Sequence, residues 1–302
     1  MGVVFVHFTA PFFLFMKDIN TLVADIYNLF DLSNKSRVSK KEAKKITEEL
    51  GRQVQEHVYK YLYNEPIGKN NLRLSAIGKP DRQLWYDSKS KDKEKQFSAP
   101  TRIKFLYGHI LESLLLAFAK LAGHSVSEEQ KEVTVDNITG HQDCRIDGVL
   151  VDVKSASATS FKKFAYGTLT EDDPFGYIAQ ISAYAEANGD KEAAFFAIDK
   201  QNGNLALLKL HDMEMINAED RIKHLKKVLQ KDNAPPKCYE DIPDGQSGNF
   251  KLPIGCVYCN HKVVCWSDSN QGKGLRAFKY AKGIRFLTEV KRLPDVEEIS
   301  VS

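Results

Sequence analysis

The stretch ITGHQDCRIDGVLVDVKSAS, residues 138–157, places Asp143, Asp152 and Lys154 among valines and isoleucines. Asp147-Gly148 between alternating apolar residues is a strong signal for a two-residue hairpin turn, and such a turn fixes the register of its two strands. Counting outward from the turn pairs Ile146 with Val149, Arg145 with Leu150, Cys144 with Val151 and Asp143 with Asp152. The alternation of side chains along a strand then returns Lys154 to the face that carries the two carboxylates.

Two carboxylates and one ammonium on a single strand face suggest metal-dependent chemistry. Directly opposed carboxylates destabilise each other, and the pKa of one is raised unless a cation neutralises them. A divalent metal removes this repulsion, and oxygen ligands of this kind suit Mg²⁺ or Mn²⁺. The ammonium could position a water molecule or stabilise a developing negative charge. The alternative interpretation is an exposed hairpin face whose Asp and Lys side chains are solvated.

Another acidic residue, Glu112, lies in the apolar helical stretch FLYGHILESLLLAFAK, three residues after His109. This spacing lets both side chains point the same way on a helix. A carboxylate among leucines is costly unless it is paired or exposed. Taken alone, Glu112 is best interpreted as solvent-facing, whereas beside the hairpin it is a natural third metal ligand.

The elements that must position these residues follow an α/β pattern. Helical periodicity covers residues 17–31, 40–63, 73–87 and 98–122, and strand-like runs follow at 125–136, 138–146 and 149–156. A helix at 175–188, strands at 193–199 and 204–210 and a basic helix at 212–231 come next. The central order of helix, three strands, helix and strand predicts an α/β sheet with a helix on each face.

Composition indicates a globular protein, because 302 residues with 42% hydrophobic content can bury a sizeable core. The net charge of +3 is only mildly basic, but cations cluster at 35–45, 89–95 and 222–231. Such clusters could bind phosphate backbones or could be solvated helix faces.

The apolar N-terminus, MGVVFVHFTAPFFLFMKDIN, does not contain the roughly 18 uninterrupted apolar residues of a membrane span. It lacks a basic n-region and contains His7 and Pro11, so it makes a poor signal peptide. Helical periodicity begins only around MKDIN. We therefore expect that Met16 is the natural start, that residues 1–15 are an upstream artefact or a loosely packed extension, and that the protein is cytoplasmic.

The order of these motifs resembles the RecB-like branch of the PD-(D/E)XK nucleases across residues 72–266. The motifs are a helical Glu near a His, then Gly-His-x-Asp, then Asp-x-Lys after a strand, then a helix bearing QISAY. The resemblance implies an αβββαβ restriction-endonuclease-like core that acts on DNA. It further implies that Glu112, Asp143 and Asp152 are metal ligands, with His109 and the backbone carbonyl of Val153 as additional metal contacts. Lys154 would be the catalytic lysine, and Gln180 and Tyr184 would lie beside the active site and the DNA.

The C-terminal motif CVYCNHKVVCW extends the comparison through Cys256, Cys259 and Cys265. It is similar to the cysteine cluster of the iron–sulfur-containing RecB-like and CRISPR-associated nucleases. Those relatives take a first cysteine from just before an Arg-x-x-Trp-Tyr-like segment, and the corresponding GKPDRQLWYD has none. The fourth ligand would then be Cys238 or His261, around Zn²⁺ or an iron–sulfur cluster.

Unligated buried thiols are the alternative interpretation of these cysteines. The fifth cysteine, Cys144, belongs to the hairpin and is expected in the core.

The expected organisation is an N-terminal extension and helical region (1–97), a nuclease core (98–232) and a loop-rich, cysteine-rich lobe with a tail (233–302). The protein is expected to be a Mg²⁺- or Mn²⁺-dependent exonuclease of phage type that degrades DNA. It would act in the cytoplasm, which is the host cytoplasm if the protein is phage-encoded. Recombination or replication proteins are its possible partners. The alternatives are a non-catalytic DNA-binding module with a structural metal site and a CRISPR-adaptation nuclease. Retention of every acidic position and the lysine disfavours the first, and the missing upstream cysteine disfavours the second.

Overall fold

The structure, a computed structural model, describes residues 17–33, 38–63, 72–89, 99–211, 214–281 and 283–301. The predictions for residues 1–15 and for most of the cationic cluster at 89–95 lie outside these residues. Among the helices described, none combines the length and the apolar character that a membrane crossing needs.

Seven α-helices belong to the N-terminal and central parts of the described chain. They are α1 (Leu22–Phe30), α2 (Lys40–Tyr63), α3 (Asp81–Lys89), α4 (Ala99–Leu121), α5 (Ala158–Ala165), α6 (Tyr177–Asn188) and α7 (Ala218–Leu229). Three four-residue helical turns follow in the C-terminal lobe: α8 (Ile254–Val257), α9 (Lys262–Cys265) and α10 (Ser269–Gly272).

The strands fall into three sheets. The first seven are β1 (Val126–Ser127), β2 (Glu132–Val135), β3 (Ile138–His141), β4 (Cys144–Ile146), β5 (Val149–Ala156), β6 (Glu192–Asp199) and β7 (Leu205–His211). The last five are β8 (Ile242–Pro243), β9 (Phe250–Lys251), β10 (Arg276–Tyr280), β11 (Gly283–Glu289) and β12 (Glu298–Ile299).

The main sheet has the order β1-β4-β5-β6-β7 and separates two hydrophobic cores. Strands β5 and β6 run parallel and are joined through α5 and α6, whereas β4 and β7 are antiparallel to their neighbours. The apolar faces of α1 and α4 pack on one side, and those of α5, α6 and α7 pack on the other. The predicted α/β sheet with helices on both faces is therefore confirmed.

The hairpin register is confirmed for the three pairs nearest the turn. Cys144 pairs with Val151, Arg145 with Leu150 and Ile146 with Val149. The turn residues Asp147 and Gly148 have φ angles of 49° and 86°, as a type I′ turn requires. The fourth predicted pair, Asp143 with Asp152, is absent from the ladder because the pairing ends at Cys144.

A buried histidine attaches the hairpin turn to the end of α4. His124 Nδ1 lies 2.5 Å from Asp147 Oδ2, and the backbone N–H of Ser125 donates to Asp147 Oδ1 at 3.0 Å. Helix α4 stops just before, since Gly123 adopts a φ of 85°. The helix that carries Glu112 and the hairpin that carries Asp152 are thus held to each other at this point.

Two predicted strands, 125–136 and 138–146, are each divided in two. Glu128 and Gln130 have positive φ angles and separate β1 from β2, so the extended run cannot continue through them. Strands β2 and β3 form their own two-stranded sheet. Helix α5, which begins at the capping side chain of Ser157, was not predicted.

The C-terminal lobe, which was predicted to be loop-rich, also contains a sheet that was not predicted. Five short strands form an antiparallel sheet in the order β12-β10-β11-β9-β8. Two of them, β8 and β9, are only two residues long, and the register of β11 with β9 shifts between Leu287 and Glu289. Strands this short carry too little alternation to be distinguished from loops in a sequence.

A contact between Gly78 and Gly176 ties the segment before α3 to the start of α6. A Cβ atom on either residue would overlap the backbone of the other. Because the obstructing atoms belong to the backbone, a side chain cannot be accommodated by a rotamer change.

We expect Gly78→Ala to destabilise the protein by about 1–3 kcal/mol, the usual cost of forcing an extra methyl into a packed position. Gly51→Ala is the matched control, since no atom lies within 4 Å of a Cβ there, and it should stabilise helix α2 by up to about 1 kcal/mol. Urea unfolding of both variants measures the difference. Equal stabilities would show that the contact does not constrain the fold.

Candidate catalytic site at the open end of the hairpin

The predicted acidic residues and the lysine meet where the hairpin opens, next to the parallel pair β5 and β6. Asp152 and Lys154 project from β5 toward the helix α6 side of the sheet. Asp143 lies just before β4, and Glu112 approaches from helix α4. The structure thus brings together residues from a helix, a loop and a strand that are separated by up to 42 positions in the sequence.

Asp152 and Lys154 form the buried centre of this group. Asp152 is 1% exposed, and the Lys154 ammonium lies 2.5 Å from its Oδ2 atom. Both carboxylate oxygens are nevertheless buried without a well-aligned hydrogen-bond donor. Burial raises the pKa of Asp152 above its ordinary value, Lys154 opposes that rise, and Glu112 adds to it. Burial alone would lower the pKa of Lys154, but Asp152 and Asp143 together raise it.

Asp143 replaces the missing ladder pair with a side-chain bond. Its Oδ2 atom accepts the backbone N–H of Val153 at 2.8 Å. Burial raises the pKa of Asp143 well above its ordinary value, and the charges of Asp152 and Glu112 contribute to the rise. The predicted role of the Val153 carbonyl stays a prediction, because the contact seen here involves its N–H group.

Glu112 lies at the edge of the group rather than in open solvent. Its side chain is 19% exposed and its Oε2 atom is 3.8 Å from Nδ1 of His109, so the two side chains do point the same way. Its Oε1 atom accepts a hydrogen bond from Gln130 Nε2 at 2.8 Å. The ring of His57 stacks on that of His109 with centroids 5.3 Å apart. Nothing in the sequence singled out His57, because it comes from helix α2.

The two predicted residues of helix α6 extend the group away from the carboxylates. Gln180 Oε1 accepts a hydrogen bond from the Lys154 ammonium at 3.5 Å, and Gln180 Nε2 donates to the Tyr184 hydroxyl at 3.5 Å. Tyr184 is 1% exposed and belongs to the core. Burial raises the pKa of its hydroxyl, so it acts here as a neutral hydrogen-bonding group. Tyr177, which the sequence did not single out, places its ring centre 4.8 Å from the Lys154 nitrogen.

The carboxylates each have a different protein partner in this arrangement. Gln130 bonds Glu112, the Val153 N–H bonds Asp143, and Lys154 faces Asp152. Within the part of the chain that the structure describes, no three His, Cys, Asp or Glu side chains are arranged to hold a metal ion.

The chemistry of the three carboxylates still fits a hard divalent cation. The two buried oxygens of Asp152 lack aligned donors, and the pKa values of Asp143 and Asp152 are both raised. A cation would relieve this accumulation of negative charge.

The four cysteines outside the main sheet line one cavity of about 20 Å³. All five cysteines of the chain are free thiols. The fifth, Cys144, is fully buried in the core of the main sheet, which confirms that prediction. Burial raises the pKa of Cys256 to about 11.

Hydrogen-bond donors surround the sulfur atoms of this cavity. The Cys238 sulfur accepts the backbone N–H groups of Arg82 and Gln83 at the start of α3, and Arg82 Nε donates to the Cys265 sulfur at 3.2 Å. Cys238 therefore lies beside the segment in which the resembling nucleases carry their first cysteine.

Two further donors reach the other sulfur atoms. The Trp266 side chain donates to Cys256, and the His261 backbone N–H donates to Cys259. The ring of His261 is engaged elsewhere, because its Nε2 atom lies 2.7 Å from Asp87 Oδ1.

Comparisons with known proteins give weak similarities. No family model matches the chain, and no curated protein matches it. SSO0001 aligns with a TM-score of 0.40 and 15% identity over 73% of this chain and 96% of its own. A phage-related exonuclease from Haemophilus somnus 129PT aligns with a TM-score of 0.38 and 14% identity over 53% of this chain and 92% of its own.

The alkaline exonuclease LHK-Exo from Laribacter hongkongensis aligns with a TM-score of 0.31 and 14% identity over 51% of this chain and 91% of its own. Similarity at this level does not establish a family or an activity.

Proposed function

We propose that the chain is a metal-dependent deoxyribonuclease of the RecB-like PD-(D/E)XK type. The observation that carries the proposal is the buried Asp152 carboxylate with the Lys154 ammonium 2.5 Å away, flanked by Asp143 and Glu112. An acid–lysine pair buried in the middle of a strand, with two more carboxylates beside it, is unfavourable in a purely structural role. It is well suited to binding and cleaving a charged phosphodiester.

Each side chain has a distinct role in the proposed site. Glu112, Asp143 and Asp152 would hold Mg²⁺ or Mn²⁺, with His109 and the Val153 carbonyl as further contacts. The bound metal would supply Lewis-acid activation of the scissile phosphate and of the attacking water.

The Lys154 ammonium stabilises the negative charge that develops on the phosphate, since it is charged at neutral pH and fixed by its neighbours. Gln180 orients that ammonium through the hydrogen bond to its Nζ atom, and Tyr184 holds Gln180 in turn.

We further propose that Cys238, Cys256, Cys259 and Cys265 bind a structural Zn²⁺ ion or an iron–sulfur cluster. The support is the shared cavity and the N–H donors that point at the sulfur atoms. Burial raises the pKa values of Cys238, Cys256 and Cys259, and these donors oppose that rise. Thiolates are the form that ligates metal, so the donors favour ligation. The engagement of His261 with Asp87 favours Cys238 as the fourth ligand.

Exonuclease action follows from the sequence resemblance and is tested by substrate topology. Linear duplexes with free ends should be degraded in Mg²⁺, whereas covalently closed circles and duplexes with hairpin-blocked ends of the same sequence should stay intact. Cleavage of the closed circle at a comparable rate would show an endonuclease. Tight DNA binding without any cleavage would favour the non-catalytic module.

A further inference from the structure

A row of aromatic rings runs from the proposed catalytic lysine to the cysteine lobe. The Lys154 nitrogen lies 4.8 Å from the ring centre of Tyr177. The ring of Phe175 lies 5.6 Å from that of Tyr177, and the ring of Tyr258 lies 6.3 Å from that of Phe175. Rings from two distant parts of the chain therefore meet beside the catalytic group.

The outer two rings of this row are open to solvent. Phe175 is 39% exposed and Tyr258 is 67% exposed, whereas Tyr177 also packs on the core residues Phe164 and Phe195. Exposed aromatic rings that touch each other next to an active site provide flat π surfaces. Nucleobases stack on such surfaces, and the interaction tolerates any base because every base has a π face.

Both exposed rings are carried by constrained backbone. Phe175 directly precedes Gly176, whose backbone contacts Gly78, and Asp173 Oδ2 accepts the Ile178 N–H at 2.8 Å just beyond it. Tyr258 lies between Cys256 and Cys259, whose backbone atoms are hydrogen bonded to each other at 3.1 Å. The backbone that carries the two rings is thus held before any ligand arrives, which reduces the entropy lost on binding.

The charges around the row are compatible with a nucleic-acid strand. Lys154 lies at one end of the row. Asp172, the nearest acidic side chain before Phe175 that is strongly exposed, is paired with Lys163 at 2.6 Å. A phosphate held at Lys154 would therefore leave the neighbouring bases free to extend over the rings.

We propose that Phe175 and Tyr258 form a base-stacking subsite for the single-stranded end of the DNA strand that is cleaved at Lys154. This inference rests on the proposed nuclease function and adds the form of the substrate. Stacking requires unpaired bases, so the end that enters the site is strand-separated. The cysteine lobe contributes Tyr258 directly, which gives it a role in substrate binding besides stability.

The test measures binding without catalysis. Fluorescence anisotropy in EDTA compares a labelled oligothymidylate with an oligonucleotide of the same length built from abasic sites. The variants Tyr258→Ala and Phe175→Ala should each bind the oligothymidylate about 10-fold more weakly than wild type, as expected for one lost base–aromatic stack. Both should bind the abasic strand like wild type. Tyr258→Trp should restore binding.

The control is Tyr59→Ala, which removes a ring that is 60% exposed and paired with Tyr63 on helix α2. It should leave the affinity for both strands unchanged. Should Phe175→Ala prove poorly folded, Tyr258→Ala decides, because its side chain is mostly in solvent.

The proposal is overturned if Tyr258→Ala binds oligothymidylate as tightly as wild type, or loses equal affinity for the abasic strand. It is also overturned if the wild type binds neither strand. Failure of the nuclease function looks different, since the wild type would then keep base-dependent binding but hydrolyse no DNA in Mg²⁺.

Discussion

Lys154→Ala is expected to lower the rate of DNA cleavage by about 100-fold or more, the usual loss when a fixed group that stabilises transition-state charge is removed. The ammonium is fixed by Asp152, Gln180 and the ring of Tyr177. No water molecule can replace a positive charge held by three contacts. Single-turnover cleavage at saturating enzyme isolates this effect from any change in DNA affinity.

The same variant should also reveal the metal through stability. Without Lys154, the buried carboxylate of Asp152 has lost its nearest counter-charge, so the metal-free protein should unfold at a lower temperature. Added Mg²⁺ or Ca²⁺ should recover part of the lost stability, because a cation that binds only the folded state stabilises it.

The matched control is Lys209→Ala, which removes a lysine paired with Glu192 across strands β6 and β7. Its cleavage rate should equal that of wild type. If Lys154→Ala cleaves DNA at the wild-type rate, the lysine has no catalytic role.

Cys259→Ser is expected to abolish metal binding by the cysteine lobe and to destabilise the protein by several kcal/mol, because ligation of such lobes is coupled to their folding. Wild-type protein should contain stoichiometric zinc or show the visible absorbance of an iron–sulfur cluster. The variant should show neither and should melt at a lower temperature.

Cys144→Ala provides the control for a lost thiol. Cys144 is buried in the main sheet, so its replacement should cost some stability and leave the metal content unchanged. The wild-type protein could instead contain no metal after anaerobic purification, and its melting temperature could stay the same when zinc is added or a cluster is reconstituted. That result would contradict the proposal that the cysteine lobe binds metal.

The turn of the hairpin and the strand pairs next to it could be predicted from the sequence, but the residue at which the strand pairing stops could not. A turn of two residues determines the pairs on either side of it, and the pattern of Cys144, Arg145 and Ile146 continues that register. Where the ladder stops depends on a side chain, since the carboxylate of Asp143 takes the Val153 N–H that another strand would have used. Alternation of apolar residues contains no information about that competition.

Long-range contacts explain the other residues that the sequence could not supply. Gln130 meets Glu112 because the segment between β1 and β2 folds over α4, and positive φ angles create that segment. Cys238 reaches the first turn of α3 across 156 positions. The aromatic row joins the CxxC motif to the loop before α6. Each is a tertiary contact that no local pattern encodes.

Cleavage of linear DNA by the wild type and by Asp152→Asn tests the nuclease proposal most directly. The substitution is nearly isosteric and removes one of several mutually repelling carboxylates, while Asp143 remains as a counter-charge for Lys154. The variant should therefore fold with an unchanged or slightly higher melting temperature. We predict that the wild type releases nucleotides in Mg²⁺ and not in EDTA, and that Asp152→Asn releases none in either. Cleavage by the wild type in EDTA, or by Asp152→Asn at the wild-type rate, would contradict the metal-dependent site.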